Sequence, residues 1–235
     1  MSQSSVWQRI ERSFLASAGE VVFGMEDGTV SIFGLVFGVA ATTSDQSAVL
    51  VAGASGAVAA AVSMMAGTYL DVETNQDQAR VMALRIDTEM RTDTTLVLDS
   101  VTQRLHAVGM AREQTTVVTE FLSSQPAILK GVAAALAMPG DADASQSPLV
   151  RSLWMLIADF LAAAIPILPF GFLAVPEGRV VSAIVTTMLL VALGVGRARI
   201  GGRNVVRTVT ETVAVGVAAA LAGVAIGVAI ARIFS

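Results

Sequence analysis

The chain has 235 residues, 54% of them apolar and 14% charged, with a formal net charge of -4 and a mean hydropathy of +0.70. Soluble domains carry about 25% charged residues, so this is the composition of a membrane protein. The absence of cysteine excludes disulfides, zinc-thiolate sites and thiol catalysis, the single histidine excludes a multi-histidine metal site within one chain, and the negative balance offers no basic surface for nucleic acid.

Residues 1–20 show no apolar core or small-residue cleavage site of a removable signal peptide. They interleave Trp7, Phe14 and Leu15 with Arg9, Arg12, Glu11 and Glu20, a pattern that predicts a short amphipathic helix at the membrane surface. Two long apolar runs follow, the first from 21 or 28 to 43 and the second from 47 to 70, joined by the polar turn Thr43-Ser44-Asp45-Gln46. Charges return after Asp71, and Val81, Leu84, Met90, Val97, Val101 and Leu105 recur at helical spacing, predicting two or three amphipathic helices outside the bilayer. The turn-rich stretch PGDADASQSP, 139–148, is the clearest linker. A third span is predicted over 149–175, kinked by Pro166 and Pro169, and a fourth over 180–195. The basic loop RARIGGRNVVR, 197–207, leads to a fifth over 208–230.

The expected fold is therefore all-α: a polytopic membrane protein with five transmembrane helices and a cytoplasmic helical insert between helices two and three. The expected domains are 1–71, with the N-terminal segment and first two spans, the insert 72–147, and 148–235 with the last three spans. In this arrangement thirteen Lys and Arg residues fall on one side, and only Arg179 and Arg232 on the other. Because cytoplasmic loops carry the basic excess, the N-terminus and insert are expected in the cytoplasm.

Glu26 and Asp27 lie inside the first apolar run. Asp27 either caps a helix beginning at Gly28, at the interface, or belongs to a longer helix that carries both acids into the membrane. A helix over 28–43 would be about 24 Å long, short of a hydrocarbon core of about 30 Å, whereas counting from Val21 repairs the deficit. An ionised side chain there costs at least about 2.5–3.5 kcal/mol, so an intramembrane acid points to function. Carboxylate oxygens facing an aqueous cavity suit divalent cations and protons.

Met64, near the end of the second run, offers a soft thioether that is either a ligand or a gap-filling core residue. Asp71 and Glu73 follow it just beyond the run. Asp159, midway along the third span, is too short to snorkel from that depth, and must face a partner, an aqueous path or a hydrogen-bonding neighbour helix. Glu211 lies within reach of several arginines and reads as an interfacial salt bridge, and His106 reads as solvated. The acids of the insert alternate with arginines, the pattern of a solvated helix face.

The first hairpin, EDGTVSIFGLVFGVA followed by AGASGAVAAAVSMMAGTYLDV, resembles the vacuolar iron transporter family, and IPILPF at 165–170 is similar to that family's proline pair in helix three. The resemblance implies export of Fe2+, and often Mn2+, in exchange for protons by a homodimer. It places the family's helix-one aspartate at Asp27 and its helix-two methionine at Met64. The chain departs from the pattern at Thr68, where the family has glutamate, and at Asp71, where it has serine. The insert resembles the family's iron-binding insert in outline, yet Val132-Ala133-Ala134-Ala135-Leu136-Ala137 stands where acids and methionines would fall. Asp159 lies outside the family pattern.

The expected function is a proton-coupled exporter of Fe2+ or Mn2+, with Asp27 and Met64 in the path and Glu26, Asp71 and Asp159 as auxiliary acids. The metal and protons would be its substrates, with no cofactor, and its setting the lipid bilayer, as a homodimer in a bacterial inner membrane. The alternative is a family-shaped membrane protein that does not transport and acts as a regulator or scaffold through its insert. An enzyme is disfavoured, because neither a nucleophile-base pair nor a phosphate-cradling loop is present.

Overall fold

The computed structural model describes residues 3–137 and 147–234, so most of the linker expected at 139–148 lies outside the described residues. These residues form ten helices and no strand: α1 (Gln3–Ala16), α2 (Ala18–Ala40), α3 (Gln46–Thr92), α4 (Thr94–Ala107), α5 (Arg112–Ser123), α6 (Pro126–Ala137), α7 (Pro148–Ile167), α8 (Pro169–Phe172), α9 (Val175–Ile200) and α10 (Val205–Phe234). Five of them, α2, α3, α7, α9 and α10, are long and apolar enough to cross a membrane. The chain divides into two units, one of Met1–Leu70 with Gln146–Ser235 and the other of Asp71–Ser145.

Several boundaries differ from the sequence expectation, each for a local reason. The second helix runs on to Thr92, because no Gly or Pro between Thr68 and that point interrupts the backbone ladder. The third span ends at Ile167 rather than 175: Pro169 has no N–H to continue the ladder, so the chain breaks into the single turn of α8. The fourth begins at Val175, since Pro176 is tolerated in a first turn, and extends to Ile200. Arg197 and Arg199, expected in a loop, are therefore helical.

In the first unit α2 is the central helix, and close approaches at its glycines fix the directions of its neighbours. Gly24 faces Met155, and Gly28 faces Asp159, so α7 runs parallel to α2. Gly34 faces Ala219, and Gly38 faces Gly223 and Gly227, so α10 is parallel as well. On the opposite hand, Gly53 of α3 meets Val36 and Gly56 meets Leu35 and Ile32, an antiparallel pairing. Gly194 of α9 lies against Val209 and Gly216 of α10 against Leu190, again antiparallel. The alternation is what five successive crossings require. A Cβ at Gly38 would stand 2.7 Å from the carbonyl oxygen of Gly223, so this seam admits only the smallest residue.

Polar groups complete the packing. The buried Ser182 hydroxyl of α9 donates to the Pro166 carbonyl at 2.7 Å. α1 is held to α7 by Trp154, whose ring meets Phe14 edge-on at 5.3 Å and whose Nε1 donates to the Ser13 hydroxyl at 3.0 Å. Arg151 pairs with Glu20 at the adjoining ends of α7 and α2.

The second unit is built from the end of α3 with α4, α5 and α6 around Ile86, Val97, Val101, Leu105, Leu122, Leu129 and Ala133. Asp93 caps α4, accepting from the Thr95 backbone N–H at 2.9 Å and its hydroxyl at 2.6 Å. α4 ends in a Schellman turn: Gly109 takes φ +92°, and Met110 N–H donates to Leu105 C=O. His106 is exposed, with one ring nitrogen 3.3 Å from the Met110 carbonyl, in keeping with its solvated reading.

Candidate functional site

Because α2 begins at Ala18, Asp27 lies about 14 Å along the helix at 1.5 Å per residue, and the capping alternative is excluded. Glu26 and Asp27 are successive residues of one helix, so their side chains diverge by about 100° around its axis. They nonetheless share a cavity of about 420 Å3 formed with Arg197, Gly201 and Arg203 from the end of α9 and the following turn, and Val215 from α10. That turn is also set locally. Gly202, at φ +61°, lets Arg203 N–H return to Ala198 C=O, which closes α9 and places both arginines beside α2.

Glu26 is fully engaged. Nη1 of Arg197 donates to both of its oxygens, at 2.9 and 3.2 Å, and the Thr212 hydroxyl lies 3.2 Å from Oε1. Asp27 is different: among the described residues its carboxylate receives neither hydrogen bond nor ion pair. It is half-buried and opens on the cavity.

Asp159 is wholly buried on the inner face of α7, and among the described residues neither carboxyl oxygen has a hydrogen-bond partner. It faces Gly28, the residue next to Asp27, where a Cβ would stand 2.9 Å from Oδ1. A buried polar group without a partner costs free energy, and such an exception calls for an explanation in a proton, a water or an ion.

The other sequence candidates lie elsewhere. Met64 is half-buried on α3 and is not among the residues lining the cavity. Asp71 is exposed in the second unit, where Asn75 donates to it at 3.4 Å. Glu211 pairs with Arg207 at 2.9 Å and Arg203 at 3.3 Å, the salt bridge read from the sequence. Nowhere among the described residues do three or more His, Asp or Glu side chains converge. Sequence reasoning missed Arg197 and Thr212 as partners of Glu26. The available signal was that Glu26 needs a counter-charge, and Arg197 is the first cation after the fourth apolar run.

The sequence profile of the VIT family matches residues 18–228. The chain belongs to the VIT family. In this VIT-family chain the match starts at the first residue of α2 and takes in four of the spanning helices whole and most of α10. A protein described as a vacuolar iron transporter, from Centaurea cyanus, is 26% identical over 169 residues, covering 72% of this chain and 69% of its own. The chain is accordingly an integral membrane protein, and the VIT-family match takes in the cavity and both acids of α2.

Proposed function

We propose that this VIT-family protein is a proton-coupled exporter of divalent metal, Fe2+ or Mn2+. The observation that carries this reading is Asp27: an unpaired carboxylate in the interior of a membrane-spanning helix, open to a cavity, in a family with an iron-transporting relative. A carboxylate binds a divalent cation or a proton but not both, so alternating exposure of Asp27 couples metal leaving to protons entering. Asp159 is the auxiliary acid, because it packs on Gly28, next to Asp27, and among the described residues nothing hydrogen-bonds its oxygens. Met64 is a candidate soft ligand from α3, and Asp71 a candidate acid beyond the apolar run.

The basic excess supports an N-terminus and insert in the cytoplasm, the alanine-valine-rich composition with arginine over lysine supports a bacterial inner membrane, and the resemblance of the hairpin supports a homodimer. The test is flux in proteoliposomes under an imposed pH gradient. Saturable Mn2+ or Fe2+ transport is expected in the wild type, and none in Asp27→Asn; equal flux in the two would defeat the proposal.

A second reading, a non-transporting scaffold acting through its insert, is favoured by one observation. Leu129 and Ala133 of α6 are spent in the core of the second unit, and the helix carries no acid. A wild type that neither binds nor moves divalent metal would decide for it.

A further inference from the structure

Resting on the transport reading, we infer that Arg197 is a tethered competitor of the transported cation, occupying Glu26 until a divalent ion displaces it. The geometry supplies each part. Glu26 lines the same cavity as Asp27, so an ion held by Asp27 is presented to its neighbour's carboxylate. Both oxygens of that carboxylate are taken by one nitrogen of Arg197, and the Thr212 hydroxyl lies beside Oε1. A guanidinium and a divalent cation seek the same lone pairs, and both cannot hold them.

Charge settles the consequence. Arg203, the other cation lining the cavity, is paired with Glu211. Glu26, Asp27 and Arg197 therefore leave the cavity with a single net negative charge, too little to neutralise a divalent ion. When Arg197 withdraws, Glu26 and Asp27 together match the charge of the ion. Its return to Glu26 restores the original state and drives the ion off. The side chain has room to withdraw: that of Arg197 is 42% exposed, whereas that of Glu26 is 15% exposed. Arg197 also stands in the last turn of α9, where the long side chain can swing towards the headgroup region while the helix stays intact. The device weakens capture and speeds release, and a transporter needs both to turn over. It also explains why an acid in a spanning helix is paired when the acid beside it is not.

The test uses the full-length protein in lipid nanodiscs and proteoliposomes, with Mn2+ as the probe. Arg197→Gln is expected to bind Mn2+ about tenfold more tightly, corresponding to about 1.4 kcal/mol. In flux assays its KM falls while the maximal rate also falls, because release becomes slow. In Glu26→Gln/Arg197→Gln the gain in affinity disappears. A purely structural ion pair predicts lower stability in Arg197→Gln, with no tightening of Mn2+ binding. Arg197→Lys keeps the charge but not the guanidinium, and is expected to tighten binding by a smaller factor; it serves if Arg197→Gln does not fold. Unchanged or weaker Mn2+ binding in Arg197→Gln, or in Arg197→Lys where Arg197→Gln does not fold, overturns the inference. Absence of saturable Mn2+ binding and flux in the wild type instead overturns the transport reading, and the inference falls with it.

Discussion

Gly28 and Asp159 are in direct contact across the α2–α7 seam, the missing side chain of the glycine providing the space in which the aspartate lies. A methyl group at position 28 would stand 2.9 Å from Asp159 Oδ1 and 3.0 Å from Cγ, and nearer still to the Asp159 carbonyl oxygen. The close approach of the two helices and the burial of the acid therefore have one cause.

Gly28→Ala is expected to destabilise the protein by about 1–3 kcal/mol, the usual cost of overpacking, since a backbone oxygen cannot rotate away. Gly196→Ala on α9 meets nothing within 4 Å and is the control, expected to be neutral or slightly stabilising because alanine is the better helix former. Thermal unfolding in detergent compares them. Equal midpoints would show that the seam is not tight.

Flux through the wild type is expected to fall as the metal-loading side is acidified, because protons and metal compete for the same carboxylates. Asp159→Asn keeps the size and hydrogen-bonding capacity of the side chain but cannot ionise, so it should flatten this pH dependence while leaving the unfolding midpoint close to that of the wild type. An unaltered pH profile in proteoliposomes would remove Asp159 from the path.

Asp93 provides a pH effect in the second unit. Hydrogen bonds from the Thr95 hydroxyl and backbone N–H hold its carboxyl below the usual aspartate range. A carboxylate depressed on folding contributes stability above its unfolded pKa, and the contribution is lost as pH falls through the folded value. The protection of the amides at the start of α4, their exchange relative to the intrinsic rate at each pH, should therefore fall on acidification below about pH 4. In Asp93→Asn, which caps without ionising, that loss of protection should be absent. Identical acid profiles for the two proteins would contradict this.

Trp154→Ala should release α1. It removes the ring against Phe14 and the hydrogen bond to Ser13, and leaves the Arg151–Glu20 pair. Faster hydrogen exchange is expected across residues 8–16, with α2 protected as before; unchanged exchange there would mean that other contacts hold α1.

Much of the fold was legible in the sequence, because the signals involved are one-dimensional. A run of about 20 apolar residues is long enough to cross a bilayer, and satisfying its backbone there leaves a helix as the structure such a run can adopt. The recurrence of Val97, Val101 and Leu105 at helical spacing marked the buried face of α4. Glu26, Asp27 and Asp159 stood out because acids are costly in such runs. The break after Ile167 was half legible: Pro166 and Pro169 announced a kink, but not that a single turn would separate two helices.

Which faces meet was settled by packing in three dimensions. The spanning helices are apolar on nearly all sides, so the pattern that orients a soluble helix does not distinguish lipid from neighbour. Rotation about each axis and sliding between helices are set by where backbones approach, as at Gly28 with Asp159 and Gly38 with Gly223. Those settings place Arg197 on Glu26, 171 residues away in sequence, and leave Asp27, the neighbour of Glu26, without a partner among the described residues. The residue pattern placed two adjacent acids at the head of an apolar run and left open whether Asp27 caps the helix or lies within it; the start of α2 at Ala18 put both inside the helix. Packing decided that one of them is neutralised and the other free, because that depends on distances between helices, and composition and periodicity carry no distances.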